Sequence, residues 1–440
     1  MSKLRSNILK IIIMPIADTV MHTKITHYYK QIKKMQNWGS NDILKWQNEK
    51  LQKLIEHAYN NTVYYKELFD NNNLDYKAIS SRDDLYKIPI LTKEIIRKRY
   101  NDLIPKNINN IYYNQSATGG SSGDPLIYLL DNNSWSFITS STIYNWEKTS
   151  YEYGKKFITL GSTSLFVNKK KSIKHIIYYM LKNSVGLNGI NMSDDVCEGY
   201  VSIIKKKKIK YLYGYASSIS ILANYAISHS INLDIKVCFP TAEILTNVLK
   251  ETIINAFNCE VVDFYGAFDG GITAFEHKKG SFFVSYNCIV NQIERDQDGY
   301  GPILISDLFN YAMPFINYQL GDEVQINSNN GINIQYNGQI INKISGRVSD
   351  VIKLENGTVI TGPGFTILFK DMPVEYYRIE KNGVNTVKCL IKKLDSYKQK
   401  HEEIIISTFR KQLGANVNFE IEYTTDIILS KSGKRQYFNS

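Results

Sequence analysis

Cysteine is sparse in this sequence: five residues in 440, odd in number, widely spaced and with no C-x-x-C pair. That excludes a disulfide framework and fits a reducing cytoplasm. No apolar run reaches the roughly 20 residues needed to span a bilayer. The closest is Ile11–Ala17, which follows Lys3, Arg5 and Lys10 and is closed by Asp18. No clean small-x-small cleavage site follows it, so no signal peptide is expected. Two readings stay open for it, a hydrophobic staple onto the protein body or a weak contact with a membrane surface. Zinc-finger spacing, RNA-binding aromatic signatures and heptads with a basic region are also missing. The formal charge of +11 is spread out. Its densest run, Lys205–Lys208, reads as a solvated helix end or loop, and nucleic acid is not an expected partner.

The chain is too long for one compact core. Residues 41–69 show helical periodicity through Trp46, Leu51, Leu54, Ile55 and Ala58, with breaks at Asn61 and Asn72. Further helices are expected over Ser217–Ile227 and Asn247–Phe257. Strand-like runs alternate with them: Leu126–Leu130, Phe157–Leu160, Lys236–Phe239, Glu260–Phe264 and Ile303–Ser306. Such alternation predicts an α/β domain with a largely parallel core sheet and flanking helices. After about Gly346 the pattern changes to short strands (Val351–Leu354, Thr386–Ile391, Phe419–Tyr423) and one amphipathic helix, His401–Leu413. The expected layout is an N-terminal extension (1–40), a large domain (41–345) and a small α+β domain (346–440).

The densest glycine and hydroxyl cluster is Ser116-Ala117-Thr118-Gly119-Gly120-Ser121-Ser122-Gly123. Its backbone N–H groups can converge on an anion, with the hydroxyls as added donors. It is neither a Walker A loop nor a dinucleotide fingerprint, because the spacing and the following helix are wrong. A plain surface turn stays open on this segment alone. Downstream, Thr241-Ala242-Glu243 and Tyr265-Gly266-Ala267-Phe268-Asp269-Gly270-Gly271 each follow a predicted strand, where α/β sheets line their ligand crevices. Tyr265 offers a flat face to a purine, and Asp269 an oxygen ligand suited to Mg²⁺. Then come Met313-Pro314, Gly321-Asp322, Gly346-Arg347-Val348-Ser349-Asp350 and, near the end, Gly433-Lys434. An acidic residue after a glycine turn, as Asp322 is, can accept two hydrogen bonds from a ribose diol.

In order and spacing these motifs resemble the AMP-forming adenylate enzymes, specifically their phenylacetate–coenzyme A ligase branch with its CapK-like capsule-biosynthesis members. The resemblance runs from about residue 40 to the end. It also takes in Trp46–Asn61, Tyr64-Tyr65 and Tyr213–Ser218. It implies a large adenylating domain closed by a small C-terminal lid. It implies that Ser116, Thr118, Gly119, Gly120, Ser121, Ser122 and Gly123 hold the ATP phosphates. Ala242, Glu243, Tyr265 and Gly266 would frame the adenine, Asp322 and Arg347 the ribose, and Asp269 the Mg²⁺. Asp350 would be the hinge and Lys434 the catalytic cation. The implied reaction is ATP-dependent activation of a carboxylic acid as acyl-adenylate, then transfer to coenzyme A or to an amine or hydroxyl acceptor, in surface polysaccharide assembly in the cytoplasm.

Departures from the pattern are Asp269, where Glu is usual, and Asn317, at a position commonly Arg. Glu276-His277 stands where many members have Glu-Cys, and Phe283 where they tend to have His, so no structural zinc is expected. The two substitutions keep open an alternative, a catalytically degenerate member that binds a nucleotide or partner without turnover. The acid, the acceptor and the oligomeric state are not readable.

Overall fold

The computed structural model describes the whole chain except residues 1–5, 119–125, 162–181, 190–191, 243–244, 246, 279, 294, 296–298, 327–331, 334–337, 347–350, 355–358, 362–367, 370–371, 414–416, 427–437 and 440. Helix Ser40–Asn61 turns Ile43, Gln47, Leu51, Leu54, Ile55 and Ala58 inward. Thr62 then leaves the helical region, and its side chain accepts the Tyr65 N–H to cap a separate helix, Val63–Asn71. A threonine in the extended conformation is a favoured N-cap, so the single periodic stretch becomes two helices. Gln47 is buried because its amide donates to the Tyr286 carbonyl at 2.9 Å.

The parallel part of the main sheet contains β3 (Phe157–Gly161), β4 (Ser184–Asn188), β5 (Tyr211–Tyr215), β6 (Val237–Thr241), β7 (Glu260–Val261) and β8 (Phe264–Ala267). Their buried faces pack against helices Asp194–Lys207, Ala216–Ser228 and Asn247–Phe257. Lys205, Lys206 and Lys207 fill the last turn of the first of these helices, and Lys208 is its left-handed C-cap. Gly214 is required on β5, since a Cβ there would meet the Leu160 carbonyl oxygen of β3 at 1.9 Å.

Beyond β8 the same sheet continues antiparallel. β9 (Ile272–Lys278), β10 (Ser281–Val284), β11 (Cys288–Gln292), β12 (Tyr300–Asp307), β13 (Tyr318–Ile326) and β15 (Gly338–Gly346, joined by the short β14, Ile332–Asn333) complete a 13-stranded sheet. The parallel core sheet is thus one half of a mixed one. Short connections between β9 and β13 leave no length for crossover helices, so these strands pair as antiparallel neighbours. Their core is shared with helices Ser40–Asn61 and Val63–Asn71.

A separate hairpin, β1 (Tyr113–Ala117) with β2 (Ile127–Asp131), carries the glycine and serine cluster. Helix Asn132–Trp146 follows β2 directly. Toward the C-terminus, β16 (Val351–Lys353) pairs with β17 (Val359–Thr361). A four-stranded sheet, β20 (Asn418–Tyr423), β19 (Thr386–Lys393), β18 (Val374–Lys381) and β21 (Phe438–Asn439), packs with helix Gln399–Leu413 around a core of its own. Among the described residues no helix is long and apolar enough to cross a membrane.

Candidate nucleotide site

Two parallel neighbours bring the first pieces together. Thr241, the last residue of β6, pairs with Phe264, the first of β8. Ala242, just past the end of β6, and Tyr265, the second residue of β8, each follow one member of this pair. Ala242 is exposed and has φ of 64°, a left-handed conformation unusual for a residue with a Cβ and typical of functional turns.

The Tyr265 hydroxyl donates to Asp322 Oδ2 at 2.7 Å. A carboxylate offers about four acceptor positions, and the phenol takes one of those on Asp322. Gly321, just before it, has φ of 99°, and a side chain added there would come within 4.0 Å of Lys93 Nζ.

Asp269 sits in the tight turn Phe268–Gly270 after β8, and only 7% of it is exposed. Tyr318, from β13, donates its hydroxyl to Asp269 Oδ2 at 2.9 Å. Burial pushes the Asp269 carboxyl up, while nearby Lys93 and the Tyr318 bond work against it and Asp322 adds to the rise. Gly271 ends this turn with φ of 68°, and a Cβ there would overlap Asp307 Oδ2 at 2.1 Å. Its glycine is thus doubly required.

Lys93 was invisible in the sequence as a site residue. The Leu91 N–H donates to the Asn317 carbonyl at 3.1 Å and the Gln319 N–H to the Leu91 carbonyl at 2.9 Å, laying this segment alongside Tyr318. Thr92 then caps the short helix Lys93–Lys98, and the Lys93 charge acts on Asp269.

The hairpin base joins the same cluster. Ser116 lies across from Tyr128 in the β1–β2 register. Burial and then the Asp269 charge push the Tyr128 phenol up, and Ser116 opposes the rise. The Thr118 N–H donates to the Leu126 carbonyl, and Thr118 Oγ1 accepts the Leu126 N–H, both at 2.9 Å. Thr118 and Leu126 thus pair at the end of the hairpin, on either side of Gly119, Gly120, Ser121, Ser122 and Gly123 in the sequence. Those five, with Glu243, Arg347, Asp350 and Lys434, lie outside the described residues.

Two other expectations acquire a physical account. Asn317 is buried, with φ of 51°. Its amide donates to the Leu85 carbonyl and, at 2.9 Å, to the Ile88 carbonyl. Its side chain anchors the segment leading to Lys93. Glu276 accepts from Lys250 Nζ at 2.8 Å on each carboxylate oxygen, a structural ion pair.

Two buried carboxylates to which no role was assigned stand behind the site. Asp307 accepts from Ser134 Oγ at 2.5 Å and from the Phe309 N–H at 3.1 Å. Burial pushes it up to about 7. Asp131 caps helix Asn132–Trp146 and also accepts the Tyr311 N–H at 3.2 Å. Burial pushes it to about 6.

The donor set fits a hydrated magnesium ion, which takes one or two carboxylates and fills its other positions with phosphate oxygens and water. It also fits a polyphosphate, through Lys93 and the hydroxyls of the hairpin base.

No family model matches the chain. It is similar to Protein CapK of Staphylococcus aureus, 24% identical over 416 residues that cover 93% of this chain and 92% of that protein. Among solved structures it is similar to 2-hydroxyisobutyryl-CoA ligase in complex with 2-HIB-AMP and CoA in the thioesterification state. The TM-score is 0.62 at 14% identity, with 92% of each chain covered. The same ligase in the postadenylation state with R3-HIB-AMP gives a TM-score of 0.60 at 13% identity, over 92% of this chain and 91% of that one. This chain is thus similar to CapK over nearly its whole length and shares the fold of the solved 2-hydroxyisobutyryl-CoA ligase.

Proposed function

We propose that this protein is an AMP-forming carboxylate ligase. A carboxylate oxygen attacks the α-phosphorus of ATP, the bond to the pyrophosphate oxygen breaks, and the products are acyl-AMP and pyrophosphate. The acyl group then passes to coenzyme A or to an amine or hydroxyl acceptor, and the AMP oxygen leaves. The setting is assembly of a surface polysaccharide in the cytoplasm.

The observation that carries this reading is the convergence of Tyr265–Asp322, Tyr318–Asp269, Lys93 and the Ser116–Thr118 hairpin base, in a fold shared with a ligase solved with acyl-adenylates. Asp322, with Arg347, accepts the ribose hydroxyls. Ala242, Glu243 and the Tyr265-Gly266 backbone frame the adenine. Ser116 to Gly123 and Lys93 hold the phosphates. Asp269 would hold the magnesium ion, which supplies charge neutralisation on phosphate oxygens. Residues 346–440 act as a lid that turns at Asp350 and delivers Lys434 to the reacting phosphorus. In-line attack builds negative charge, so catalysis rests on positioning and on cations placed in advance.

The test is carboxylate-dependent exchange of labelled pyrophosphate into ATP over a panel of acids. Exchange with at least one acid, and AMP as the product, is expected. Acid-dependent ADP formation by the pure protein overturns the reading, as does the absence of exchange with every acid in a protein that binds ATP.

A further inference from the structure

The chain is helical from residue 6 to Met21, with a π-helical turn at Leu9–Ile13. One side is buried: Leu9, Met14 and Ala17 pack with Ile25, Ile143 and Tyr153. Lys10 is paired with Glu147, which also accepts the Tyr29 hydroxyl. Asp18 accepts Thr23 Oγ1 and the N–H groups of Ile25 and Thr26, locking the turn into helix Ile25–Met35. The segment is therefore held firmly on the body of the protein.

The opposite side is aliphatic too, and it faces solvent. Ile8, Ile12, Ile16 and Val20 recur every four residues and are 42%, 52%, 57% and 37% exposed, with Ile11 beside them at 71%. A four-residue step places side chains in one row along a helix. A helix that is apolar on both sides normally has both covered. Near its C-terminal end His22 stacks on Tyr112, ring centroids 4.0 Å apart, and Tyr112 is itself 59% exposed. Lys24, Lys30, Lys33 and Lys34 follow at once and are all exposed. A five-residue aliphatic row presents a few hundred Å², the scale of one functional patch. It falls well short of the roughly 800 Å² per partner of a stable protein–protein interface.

We propose that the Ile8–Ile12–Ile16–Val20 ridge, with Ile11, seats the protein on an anionic lipid surface. The ridge enters the boundary between headgroups and acyl chains, Tyr112 lies at headgroup level, and the lysines that follow meet lipid phosphates. Aliphatic burial combined with basic flanks is what an interfacial helix uses, and the two contributions respond differently to salt. None of the nucleotide-site residues lies on these elements, so docking leaves that site untouched.

Flotation of the full chain with vesicles measures this. One set is phosphatidylcholine with about a third phosphatidylglycerol, the other phosphatidylcholine alone. Binding to the anionic vesicles that weakens with added salt is expected. The triple variant Ile8→Ser/Ile12→Ser/Ile16→Ser is expected to lose at least about tenfold in partitioning while the protein still unfolds cooperatively, because none of the three belongs to the buried cluster beneath the helix. Lys30→Gln/Lys33→Gln/Lys34→Gln, which leaves the ridge intact, is expected to lose the anionic preference. The proposal is overturned if the wild-type chain binds neither vesicle, if the ridge variant binds as wild type does, or if the ridge instead drives dimerisation without lipid in sedimentation velocity.

Discussion

Tyr265 and Asp322 stand 57 positions apart in sequence, yet the tyrosine hydroxyl donates to the aspartate at 2.7 Å. One bond thus joins the element assigned to the purine to the carboxylate assigned to the ribose. Removing the hydroxyl as Tyr265→Phe leaves the ring and its packing in place and removes this bond to Asp322. A hydrogen bond to a charged group contributes about 1.5–3 kcal/mol, part of which is replaced by water here. ATP affinity is expected to fall about three- to tenfold, while Asp322→Ala loses more. Equilibrium dialysis with labelled ATP checks both, and an unchanged affinity in Asp322→Ala removes the ribose assignment.

Asp269 is buried, and burial opposes its charge. Asp269→Asn keeps the shape and can still accept from Tyr318. Its folding stability is therefore expected to equal or exceed wild type at pH 8, since a buried charge is no longer required. Pyrophosphate exchange should nevertheless fall about 10²–10³-fold. Wild-type exchange in a folded variant would show that this carboxylate is structural only.

Asp307 has a folded pKa of about 7, above the ordinary carboxylate value near 3.9. Between those values the folded state holds more protons than the unfolded one, so stability falls as pH rises from about 4 to about 7. Asp131, at about 6, acts in the same direction. Asp307→Asn is expected to flatten this slope. Urea titrations at pH 5 and pH 8 measure it, and an equal pH dependence in the variant contradicts the assignment.

Asn317 occupies a buried left-handed position and spends its amide on two carbonyls. Asn317→Arg, which would bring back the residue commonly found there, is expected to destabilise the fold by about 3 kcal/mol or more. It leaves two acceptors without their donor and buries a charge with no arranged partner. Chemical denaturation reads this out, and a gain in both stability and exchange rate would reverse the interpretation.

Lys434→Ala is expected to slow acyl-adenylate formation about 10²–10³-fold, because its charge is needed only as phosphorus is attacked. ATP affinity and transfer from preformed acyl-adenylate should change much less. Rapid-quench measurement of each half-reaction separates them, and equal losses in both indicate a misplaced C-terminal region instead.

Helix Asn132–Trp146 shows why some elements were not legible. Its buried side includes Ser134, Ser136, Ser140 and Ser141, so an apolar period of 3.6 never emerges. Ser140 satisfies its hydroxyl on the Ser136 carbonyl at 2.7 Å, and Thr142 on that of Ile138 at 3.0 Å. Hydroxyls that bond one turn back can enter a core without apolar character. In the antiparallel half of the sheet β11 was equally silent, because a strand buried along its whole length lacks the alternation that marks a strand.

Local pattern alone determined the helix Asn247–Phe257 to the residue, the break near Asn61, the parallel strands β3 and β6, and β19, β20 and the helix of the small C-terminal sheet. Each depends on side chains a few positions apart along one element, and that information is carried by adjacent residues. The order of the glycine, tyrosine and acidic motifs likewise pointed to a nucleotide site. Tertiary structure alone decided that the Lys93 charge acts on Asp269, that Asn317 anchors the segment delivering it, and that the first helix leaves an aliphatic ridge in solvent. Those outcomes rest on strand pairing and packing between segments as much as 230 residues apart, where no local periodicity exists to record them.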